Sequence, residues 1–591
     1  MTANDGDVTL LTERKVQARF VHPGHHTDAM ATDDAKDGAS NEAGKMNAPM
    51  LFAVLFSMAI GGGYGTEDLL RAGGPLMTVL MLFLLPLFWG LPTALASTEL
   101  ATAVRANAGP SMWVNVAVPP PVAFGTVLLS LFLMFAGNSV PPALLVSYCT
   151  AMWPNLGIVA QIFIKLGCVA LSTFLNIVGV EVVGWAAVAV AAFTVSPFII
   201  LSAIVFIHHG IDWSLIGTHR ASMNFPVFFS ILTWNISYLE MVGTLTEDVR
   251  KPHARTVFRG ITPMVLAYWI AYIIPMLAGV TAMNVIPGGT YLQPTHADGS
   301  GPMTRQIAYS NWTAGYWNTV AHEIGGDGMR IYMLIGGMVS AFGYELGGQC
   351  TTSRALAGMG QMGVYPGPIS RFLRVYSSRF GTPRNAILVN GFVAACLTLA
   401  LDFDNLVAIT QTFYCLRLSM VYVALFRLRI KWPHLVRPFV FPGPGRTTAG
   451  LAVVFVVPFC VVYGAATMSA TINLPTALTI LGALIGIAIT SFLYTWKFLP
   501  NGIGGRIEEF TQHPGGGDDA SPSSPAVNGD APTEETTLTT SKRPDLVKRS
   551  SHLSAGPGDR VPSDRPPPST RSSIAPEEGG DELARTPNTP P

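Results

Sequence analysis

Apolar residues follow one another in long runs between Pro49 and Leu499, and short polar segments separate these runs. Many runs reach about 20 residues, the length that a helix needs to cross roughly 30 Å of hydrocarbon. The pattern therefore predicts an all-α polytopic membrane protein with twelve transmembrane helices. They cover residues 49–72, 76–103, 122–147, 158–178, 184–207, 226–249, 257–283, 330–357, 384–401, 405–428, 449–469 and 474–498.

The two ends of the chain have a different composition. Residues 1–47 are polar and contain no basic segment followed by an apolar one, so no cleavable signal peptide is predicted. Residues 501–591 are rich in Pro, Ser, Thr, Gly and Glu and poor in aromatic residues. Such segments cannot bury enough apolar surface to fold. We expect disordered tails over 1–47 and 501–591, and a twelve-helix domain over 48–500.

Basic residues are concentrated in the loops on one side of the predicted helices. The loops after helices six, eight and ten contain Arg250, Lys251, Arg255, Arg259, Arg371, Arg374, Arg379, Arg384, Arg427, Arg429, Lys431, Arg437 and Arg446. Because Lys and Arg prefer cytoplasmic loops, both termini are predicted to be cytoplasmic. The long loop on the other side, about 284–329, contains the sequon Asn311-Trp312-Thr313. Asn311 is therefore a candidate glycosylation site, facing away from the cytoplasm.

The first predicted helix contains a stretch that disfavours a continuous helix, "SMAIGGGYGTEDLL". Glycine inside a helix costs roughly 1 kcal/mol relative to alanine. An interruption at membrane depth is tolerated only where it lines a cavity or is buried in protein. Close packing of helices through small residues is the alternative. It accounts less well for a contiguous run with an aromatic residue and two acids beside it, namely Gly61, Gly62, Gly63, Tyr64, Gly65, Glu67 and Asp68.

The sixth helix is interrupted by polar residues in a similar way, with Trp234, Asn235, Ser237, Tyr238 and Glu240 in close succession. An ionisable group inside a membrane helix costs at least about 3 kcal/mol, so Glu240 marks a candidate functional site. Interrupted helices five positions apart indicate two inverted repeats with a binding site between them near the middle of the membrane.

Several segments resemble one family of membrane proteins. They are "GGGYGTEDLLRAGGPL" (61–76), "PLFWGLPTALASTELATAV" (86–104), "WNISYLEMVGTLTEDVRKP" (234–252), "MGVYP" (362–366), "GTPRNAI" (381–387) and "RIKWPHLVRPF" (429–439). Together they resemble the polyamine-uptake branch of the amino acid–polyamine–organocation (APC) superfamily of permeases. The resemblance implies a LeuT-type fold of 5+5 inverted repeats with helices one and six interrupted, followed by two further helices. It also implies secondary active transport, usually coupled to protons, by a transporter domain over 48–500.

The substrate that the resemblance implies carries ammonium groups joined by methylenes. It would need an anionic side chain and aromatic walls, which also offer cation–π contacts. Glu240 is the candidate ammonium anchor. Tyr64, Trp234 and Tyr238 are candidate walls, with Asn235 and Ser237 as polar contacts and Gly61, Gly62, Gly63 and Gly65 as exposed backbone.

A second ammonium group needs another carboxylate. Glu247 lies seven residues after Glu240, roughly 10 Å along a helix, which is long for a short diamine. Glu345 of helix eight is the preferred candidate, although the family's acid is expected nearer Gly348.

Other charged residues are candidates for gating or coupling. Glu67 and Asp68 are either outer-gate or loop-capping charges or, alternatively, contacts of the substrate. Glu99 is expected to form a structural ion pair near the inner end of helix two. Glu247, with its neighbour Asp248, is expected to pair with the basic run 250–259 as part of an inner gate.

Arg417, in the middle of helix ten, argues against polyamines because an unpaired guanidinium would repel a dication and could bind a carboxylate instead. The alternative is that it pairs with a carboxylate such as Glu345. A permease for basic or neutral amino acids is therefore a second hypothesis, and a nutrient transceptor is a third. A proton carried by Glu240 is the expected coupling ion, with sodium at Thr351, Thr352 and Ser353 as the alternative.

The sequence gives no indication of an enzyme. It contains no nucleotide-binding motif, no cluster with metal-ligand spacing and no nucleophile arrangement. The six cysteines lie in or beside apolar segments without a CxxC pair, so neither a metal nor a cofactor is predicted. The function predicted is a plasma-membrane symporter that imports putrescine, cadaverine or spermidine. Its expected partners are a small organic cation, a proton or sodium ion and the lipid bilayer, with no nucleic acid.

Overall fold

The computed structural model describes residues 44–220, 222–251, 253–294, 303–400, 403–471 and 474–499, together with Ile503. The predicted tails lie outside the described residues except for 44–47 and Ile503.

Helices make up nearly all of the first half of the described chain. The first predicted helix is divided at residues 60–66 between α1 (Ala48–Ala59) and the beginning of α2 (Glu67–Leu85). It ends where α2 bends at Gly74 (φ 76°), directly before Pro75. A five-residue π-helical segment, Pro86–Gly90, joins α2 to α3. The helix bounds are α1 (Ala48–Ala59), α2 (Glu67–Leu85), α3 (Leu91–Ala103), α4 (Pro110–Ala117), α5 (Pro120–Met152), α6 (Ile158–Val178) and α7 (Val180–His209).

The second half contains a second divided helix, in which α9 (Phe225–Trp234) is followed by the 3₁₀ segment Leu239–Leu245. The π-helical segment Trp269–Ile273 joins α11 to α12, and 3₁₀ turns cover Tyr309–Asn311 and Gly443–Arg446. The remaining bounds are α8 (Trp213–Ile216), α9 (Phe225–Trp234), α10 (His253–Ile261), α11 (Met264–Tyr268), α12 (Ile274–Ala282), β1 (Thr290–Pro294), β2 (Met303–Ile307), α13 (Trp317–Gln361), α14 (Gly367–Leu373), α15 (Arg384–Ala400), α16 (Phe403–Lys431), α17 (Thr448–Val454), α18 (Val456–Ala470) and α19 (Leu474–Phe498).

Eight helices in the described part of the chain are long and apolar enough to cross a membrane, or nine if the bent pair α17 and α18 is one span. The twelve predicted spans include three more, α1, α13 and α15. Of these, α1 and α15 have only 12 and 17 residues, and α13 carries charged residues. The count of twelve therefore stays a prediction. Exposed apolar side chains on α6, α7 and α19 form the surface expected to contact lipid.

The eighth helix is preceded by a helical segment that the sequence did not predict. α13 begins at Trp317 but its backbone is not helical at Gly326, where φ is 71°, so the helix after this break begins close to the predicted residue 330. Polar and charged residues such as Glu323 and Asp327 lie in this first part and conceal it from a hydropathy pattern. The loop before it contains the antiparallel hairpin β1–β2, with Thr290 opposite Ile307. We call the end of the molecule that carries this hairpin the hairpin end, and the opposite end, with the Arg-rich loops, the basic end.

Asp212 ties the hairpin to the neighbouring helices. Its carboxylate accepts hydrogen bonds from Asn284 (2.6 Å) and Arg305 (2.7 Å). Partial burial raises the pKa of Asp212, but hydrogen bonds from Ser214, Leu215 and Asn284 and the charge of Arg305 lower it to about 2. The group thus stays ionised above about pH 2, so its contacts do not respond to changes between about pH 4 and pH 8.

Glycines let α13 pack closely against other parts of the fold. A Cβ at Gly358 would lie 2.3 Å from the backbone nitrogen of Ala108 and 2.8 Å from its Cα. A Cβ at Gly464, in the interior of α18, would meet nothing within 4 Å. Only the first position should therefore be sensitive to an added methyl group.

Gly358→Ala should lower the thermal midpoint and the yield of folded protein in detergent, because overpacking a tight contact costs typically 1–3 kcal/mol. Gly464→Ala is the matched control and should leave the midpoint unchanged or higher. Equal midpoints for the two variants, measured by fluorescence-detected size-exclusion after heating, would contradict the close packing at Gly358.

Candidate functional site

The first helix is interrupted between α1 and α2, at residues 60–66. Gly61, Gly62 and Gly65 have φ angles of 62°, 77° and 79°, a region that residues with a side chain rarely adopt. A Cβ at Gly63 would lie 2.8 Å from the ring of Phe198. The predicted interruption is confirmed, and the glycines are explained by backbone conformation and close approach.

Side chains from distant parts of the fold form hydrogen bonds with the backbone carbonyl and amide groups that this interruption leaves free, as buried backbone groups require. The indole of Trp317 donates to the carbonyl of Gly63 (2.9 Å), and the amide nitrogen of Gly65 donates to the hydroxyl of Tyr148 (2.8 Å). The hydroxyl of Ser340 donates to the carbonyl of Gly61. These contacts hold the unwound segment in one conformation.

The sixth helix is interrupted at Asn235–Tyr238, as predicted. Tyr238 has φ 74° and is the only non-glycine residue with positive φ in the described part of the chain. Such strain costs of order 1–3 kcal/mol and is typical of functional sites. The amide nitrogen of Tyr238 donates to the hydroxyl of Tyr414 (3.0 Å), which in turn donates to Glu240 (3.0 Å).

Tyr272 connects the two interruptions. Its hydroxyl lies against the carbonyl oxygen of Ile60 and 2.9 Å from that of Asn235. A phenol has one proton, so it can donate to only one of these carbonyls at a time. The two unwound segments therefore face each other across a single hydroxyl group.

Two small adjoining cavities lie beside these segments. Gly61, Tyr64, Trp234 and Asn235 line the first, and Tyr238 lines the second. Tyr344 lines both, with its ring centroid 5.8 Å from that of Trp234 and 6.2 Å from that of Tyr238. No Lys, Arg, Asp or Glu is among the described residues that line either cavity. We call the two together the aromatic cavity.

The remaining candidate contacts lie around the aromatic cavity rather than on its wall. Gly62, Gly63 and Gly65 form the unwound backbone but are not lining residues. The hydroxyl of Ser237 donates to the carbonyl of Thr233 (2.6 Å). The structure thus brings together five of the predicted residues and leaves both predicted carboxylate anchors, Glu240 and Glu345, outside the wall.

Glu240 forms an ion pair with Arg417, and both side chains are fully buried. Arg417 thus pairs with a carboxylate, as the alternative expected, but the partner is Glu240 rather than the example Glu345, because α16 packs against the sixth helix and brings the guanidinium to Glu240. Tyr414, one turn before Arg417, donates to the second oxygen of the same carboxylate. The sulfur of Met241, which lines the aromatic cavity, lies 3.5 Å from Arg417 Nη1.

Glu345 lies on another face of α13, towards α6. Its Oε1 accepts a hydrogen bond from Gln349 (2.7 Å), whose own oxygen accepts one from Thr173 (3.0 Å). Gly348 does approach the cavity wall, since a Cβ there would lie 2.4 Å from Oδ1 of Asn138. The three-residue offset noted in the sequence therefore places Glu345 away from the aromatic cavity.

Glu67 links the first helix to the loop at the hairpin end. Its Oε1 accepts hydrogen bonds from the hydroxyl of Tyr148 (3.0 Å) and the backbone nitrogen of Gly315 (3.1 Å). Tyr148 also accepts the bond from Gly65, so Glu67 is linked to the unwound segment through one hydroxyl. Asp68 pairs with Arg71 on the same helix.

Ion pairs and hydrogen bonds link the helices at the basic end. Asp248 pairs with Arg354 of α13, and Glu247 accepts hydrogen bonds from the backbone (3.1 Å) and side chain (2.6 Å) of Asn107. The expected partner of Asp248 was the basic run 250–259, so that expectation is corrected. Residue Met46 also pairs with Val249 in a β-bridge. These contacts link the sixth helix to α13 and to the segment before α4.

Glu99 forms the ion pair that its position predicted. It binds Arg429 at 2.8 and 2.5 Å, lies 3.5 Å from Arg437, and accepts a hydrogen bond from the amide nitrogen of Phe441 (2.9 Å). This pair joins α3 to α16 and the following loop at the basic end.

The sequence reasoning missed two kinds of residue. Tyr344, Tyr272 and Tyr414 are tyrosines in apolar helices, where no local signal distinguishes them from core residues. Arg354 could have been found, because a charge within an apolar helix marks a candidate site. The described residues contain no group of three His, Cys, Asp or Glu that could hold a metal ion.

Comparison with known proteins identifies the family. The sequence profile of the family described as "Amino acid permease" matches residues 49–490. The chain belongs to this family. It is therefore a multi-pass membrane transport protein and not an enzyme, and its helices one and six are interrupted, as the resemblance implies.

Similar proteins include two from plants. Polyamine transporter PUT1 of Oryza sativa subsp. japonica is 27% identical over 438 residues, which cover 74% of this chain and 75% of that protein. Polyamine transporter RMV1 of Arabidopsis thaliana is 26% identical over 396 residues, covering 67% and 75% respectively.

Two solved structures are also similar. MhsT in complex with L-phenylalanine has a TM-score of 0.47 and 12% identity, covering 73% of this chain and 99% of that one. The nucleobase-cation-symport-1 family transporter Mhp1 has a TM-score of 0.42 and 13% identity, covering 77% and 99%.

Proposed function

We propose that this permease imports polyamines such as putrescine, cadaverine or spermidine across the plasma membrane, coupled to protons. The plant proteins that it resembles are named polyamine transporters, and the similarity extends over about two thirds to three quarters of the chain. In this proposal the basic end and both termini face the cytoplasm, which agrees with the positive-inside rule. Asn311, the candidate glycosylation site, is exposed near the hairpin.

The observation that carries the substrate proposal is the wall of the aromatic cavity. Tyr64, Trp234, Tyr238 and Tyr344 line it, and no described basic residue does. Aromatic rings cover methylene groups and attract ammonium groups through their faces. With the cavity empty, Glu240 neutralises Arg417, so the guanidinium presents no uncompensated charge to an approaching cation. It also presents no free donor pair to an approaching carboxylate.

Two of the three hydroxyl groups considered for sodium, those of Thr351 and Ser353, favour protons as the coupling ion, while the third, Thr352, lines the aromatic cavity. Thr351 donates to the carbonyls of Gly347 and Gly348 (3.1 Å each), and Ser353 donates to that of Gln349 (2.6 Å). These hydroxyls bond their own helix, as Ser and Thr commonly do in helices. Glu240, the proton carrier expected from the sequence, is instead occupied by the ion pair with Arg417, so the proton is proposed to bind elsewhere.

Uptake of radiolabelled putrescine by a transport-deficient host that expresses the permease tests the proposal. Uptake should saturate, should be inhibited by unlabelled spermidine more strongly than by arginine or lysine, and should increase as external pH falls from about 8 to about 5. Asp212 stays ionised throughout this pH range, so an effect of pH on uptake would have to come from other groups. Stronger inhibition by arginine than by any polyamine would assign the chain to amino acids instead.

A further inference from the structure

The ion pair of Glu240 and Arg417 lies one layer of side chains behind the wall of the aromatic cavity. Met241 lines the cavity and its sulfur contacts Arg417. Tyr238 also lines the cavity, and its amide group is linked through the hydroxyl of Tyr414 to Glu240. A movement of these wall residues would expose the carboxylate to a bound molecule.

A bound polyamine and Arg417 would compete for the carboxylate of Glu240. A polyamine that leaves water for a cavity without charged lining residues loses its hydration, which is strongly unfavourable unless a carboxylate compensates. Glu240 can supply that carboxylate only if Arg417 releases it. Conversely, Glu240 would be a buried charge without compensation if Arg417 were absent and the cavity were empty.

Arg417 is only partly held in its position. Its Nη2 binds Glu240, and its guanidinium carbon lies 5.8 Å from the ring centroid of Tyr414. Its Nε is buried and has no hydrogen-bond partner among the described residues. Structural ion pairs in protein interiors normally satisfy all their donors, because a buried donor without a partner is costly. This incomplete bonding suits a side chain that changes partner.

We propose that Arg417 is a built-in competitor of the substrate, which pairs with Glu240 while the cavity is empty and is displaced by a substrate ammonium group. This inference rests on the proposed function and adds a role in the transport cycle. When the empty permease changes between its inward-open and outward-open states, Glu240 is neutralised by Arg417. When the loaded permease makes this change, Glu240 is neutralised by the substrate. Net uptake requires both movements, whereas exchange of substrate across the membrane requires only the second.

Two assays on purified permease in proteoliposomes separate these movements. Net uptake of radiolabelled putrescine is measured into empty vesicles, and counterflow is measured into vesicles preloaded with unlabelled putrescine. Arg417→Gln should reduce net uptake about tenfold or more relative to counterflow, because the empty permease now carries an uncompensated charge. The putrescine concentration for half-maximal counterflow should fall several-fold, since the competitor is gone. Arg417→Lys keeps the positive charge and should recover most of the net uptake.

The double variant Glu240→Gln/Arg417→Gln guards against misfolding, since it buries no charge. Its ratio of net uptake to counterflow at saturating putrescine should return to the wild-type ratio. Equal losses in both assays for Arg417→Gln, or a double variant whose ratio is as low as that of the single variant, would overturn the proposal. If the wild-type permease carries arginine rather than putrescine, the substrate assignment fails in the wild-type assay alone, and the same two assays with arginine still test Arg417.

Discussion

Uptake of putrescine at low concentration should fall about a hundredfold or more when Glu240 is replaced by glutamine. The variant loses the carboxylate that is proposed to compensate an ammonium group, and it leaves Arg417 as a buried charge beside the cavity, where it repels a cation. Removing one partner of a buried ion pair costs about 3–5 kcal/mol, and about 1.4 kcal/mol corresponds to a factor of ten. The measurement is the initial rate of radiolabelled uptake, normalised to the amount of permease at the cell surface.

Two controls separate a loss of binding from a loss of folding. Glu323→Gln makes the same chemical change on an exposed residue of α13 and should leave uptake unchanged. Glu240→Gln/Arg417→Gln removes both buried charges, so it should fold as well as the wild type and still take up little putrescine at low concentration. Wild-type uptake by either variant that lacks Glu240 would remove this carboxylate from the mechanism.

The sequence was sufficient to locate the two interruptions because their causes are local. Gly61, Gly62 and Gly65 adopt backbone conformations that other residues avoid, and the polar residues after Trp234 end the apolar run of the sixth helix. Aromatic candidates next to the interruptions, such as Tyr64 and Tyr238, also reached the cavity wall, since a short unwound segment brings its own side chains to the site.

The partners of the buried charges could not be derived in the same way. Glu240 and Arg417 are 177 residues apart, and their contact depends on which faces of two helices meet. Hydropathy shows that a residue lies inside the membrane but not what it faces. Glu345 illustrates the difference, because three residues along α13 separate a position facing α6 from Gly348, which faces the cavity wall. Tyr344 lies beside Glu345 and is the residue that lines the cavity.

One contact at each end of the molecule is a candidate gate for transport. At the hairpin end Glu67 joins the first helix to Gly315, and at the basic end Asp248 joins the sixth helix to α13 through Arg354. Each contact connects an interrupted helix to a segment outside it. Alternating access requires that these contacts break one at a time, so weakening either one should favour opening at its own end.

Arg354→Met should open the basic end and make Cys350 reactive. Arg354 is fully buried, pairs with Asp248 and has its Nη1 3.1 Å from the sulfur of Cys350. Loss of a buried pair costs about 3–5 kcal/mol, and we take about 2 kcal/mol because the side chain of Asp248 is 26% exposed. That value changes the ratio of open to closed molecules about thirtyfold. Methionine fills much of the volume of arginine and still shields Cys350 from solvent. Faster labelling of Cys350 would therefore report opening of the basic end rather than the loss of a shielding side chain.

Labelling with a membrane-impermeant maleimide, applied from either side, measures this opening in a background where the other cysteines are replaced by alanine (Cys149, Cys168, Cys396, Cys415 and Cys460). The rate should rise only from the side of the basic end, which would also establish the orientation of the permease. Arg374→Met removes an exposed arginine at the same end and should leave labelling at the background rate. Equal labelling of the two variants would show that the pair of Asp248 and Arg354 does not hold the basic end closed. If it did, its loss would have to increase the accessibility of Cys350.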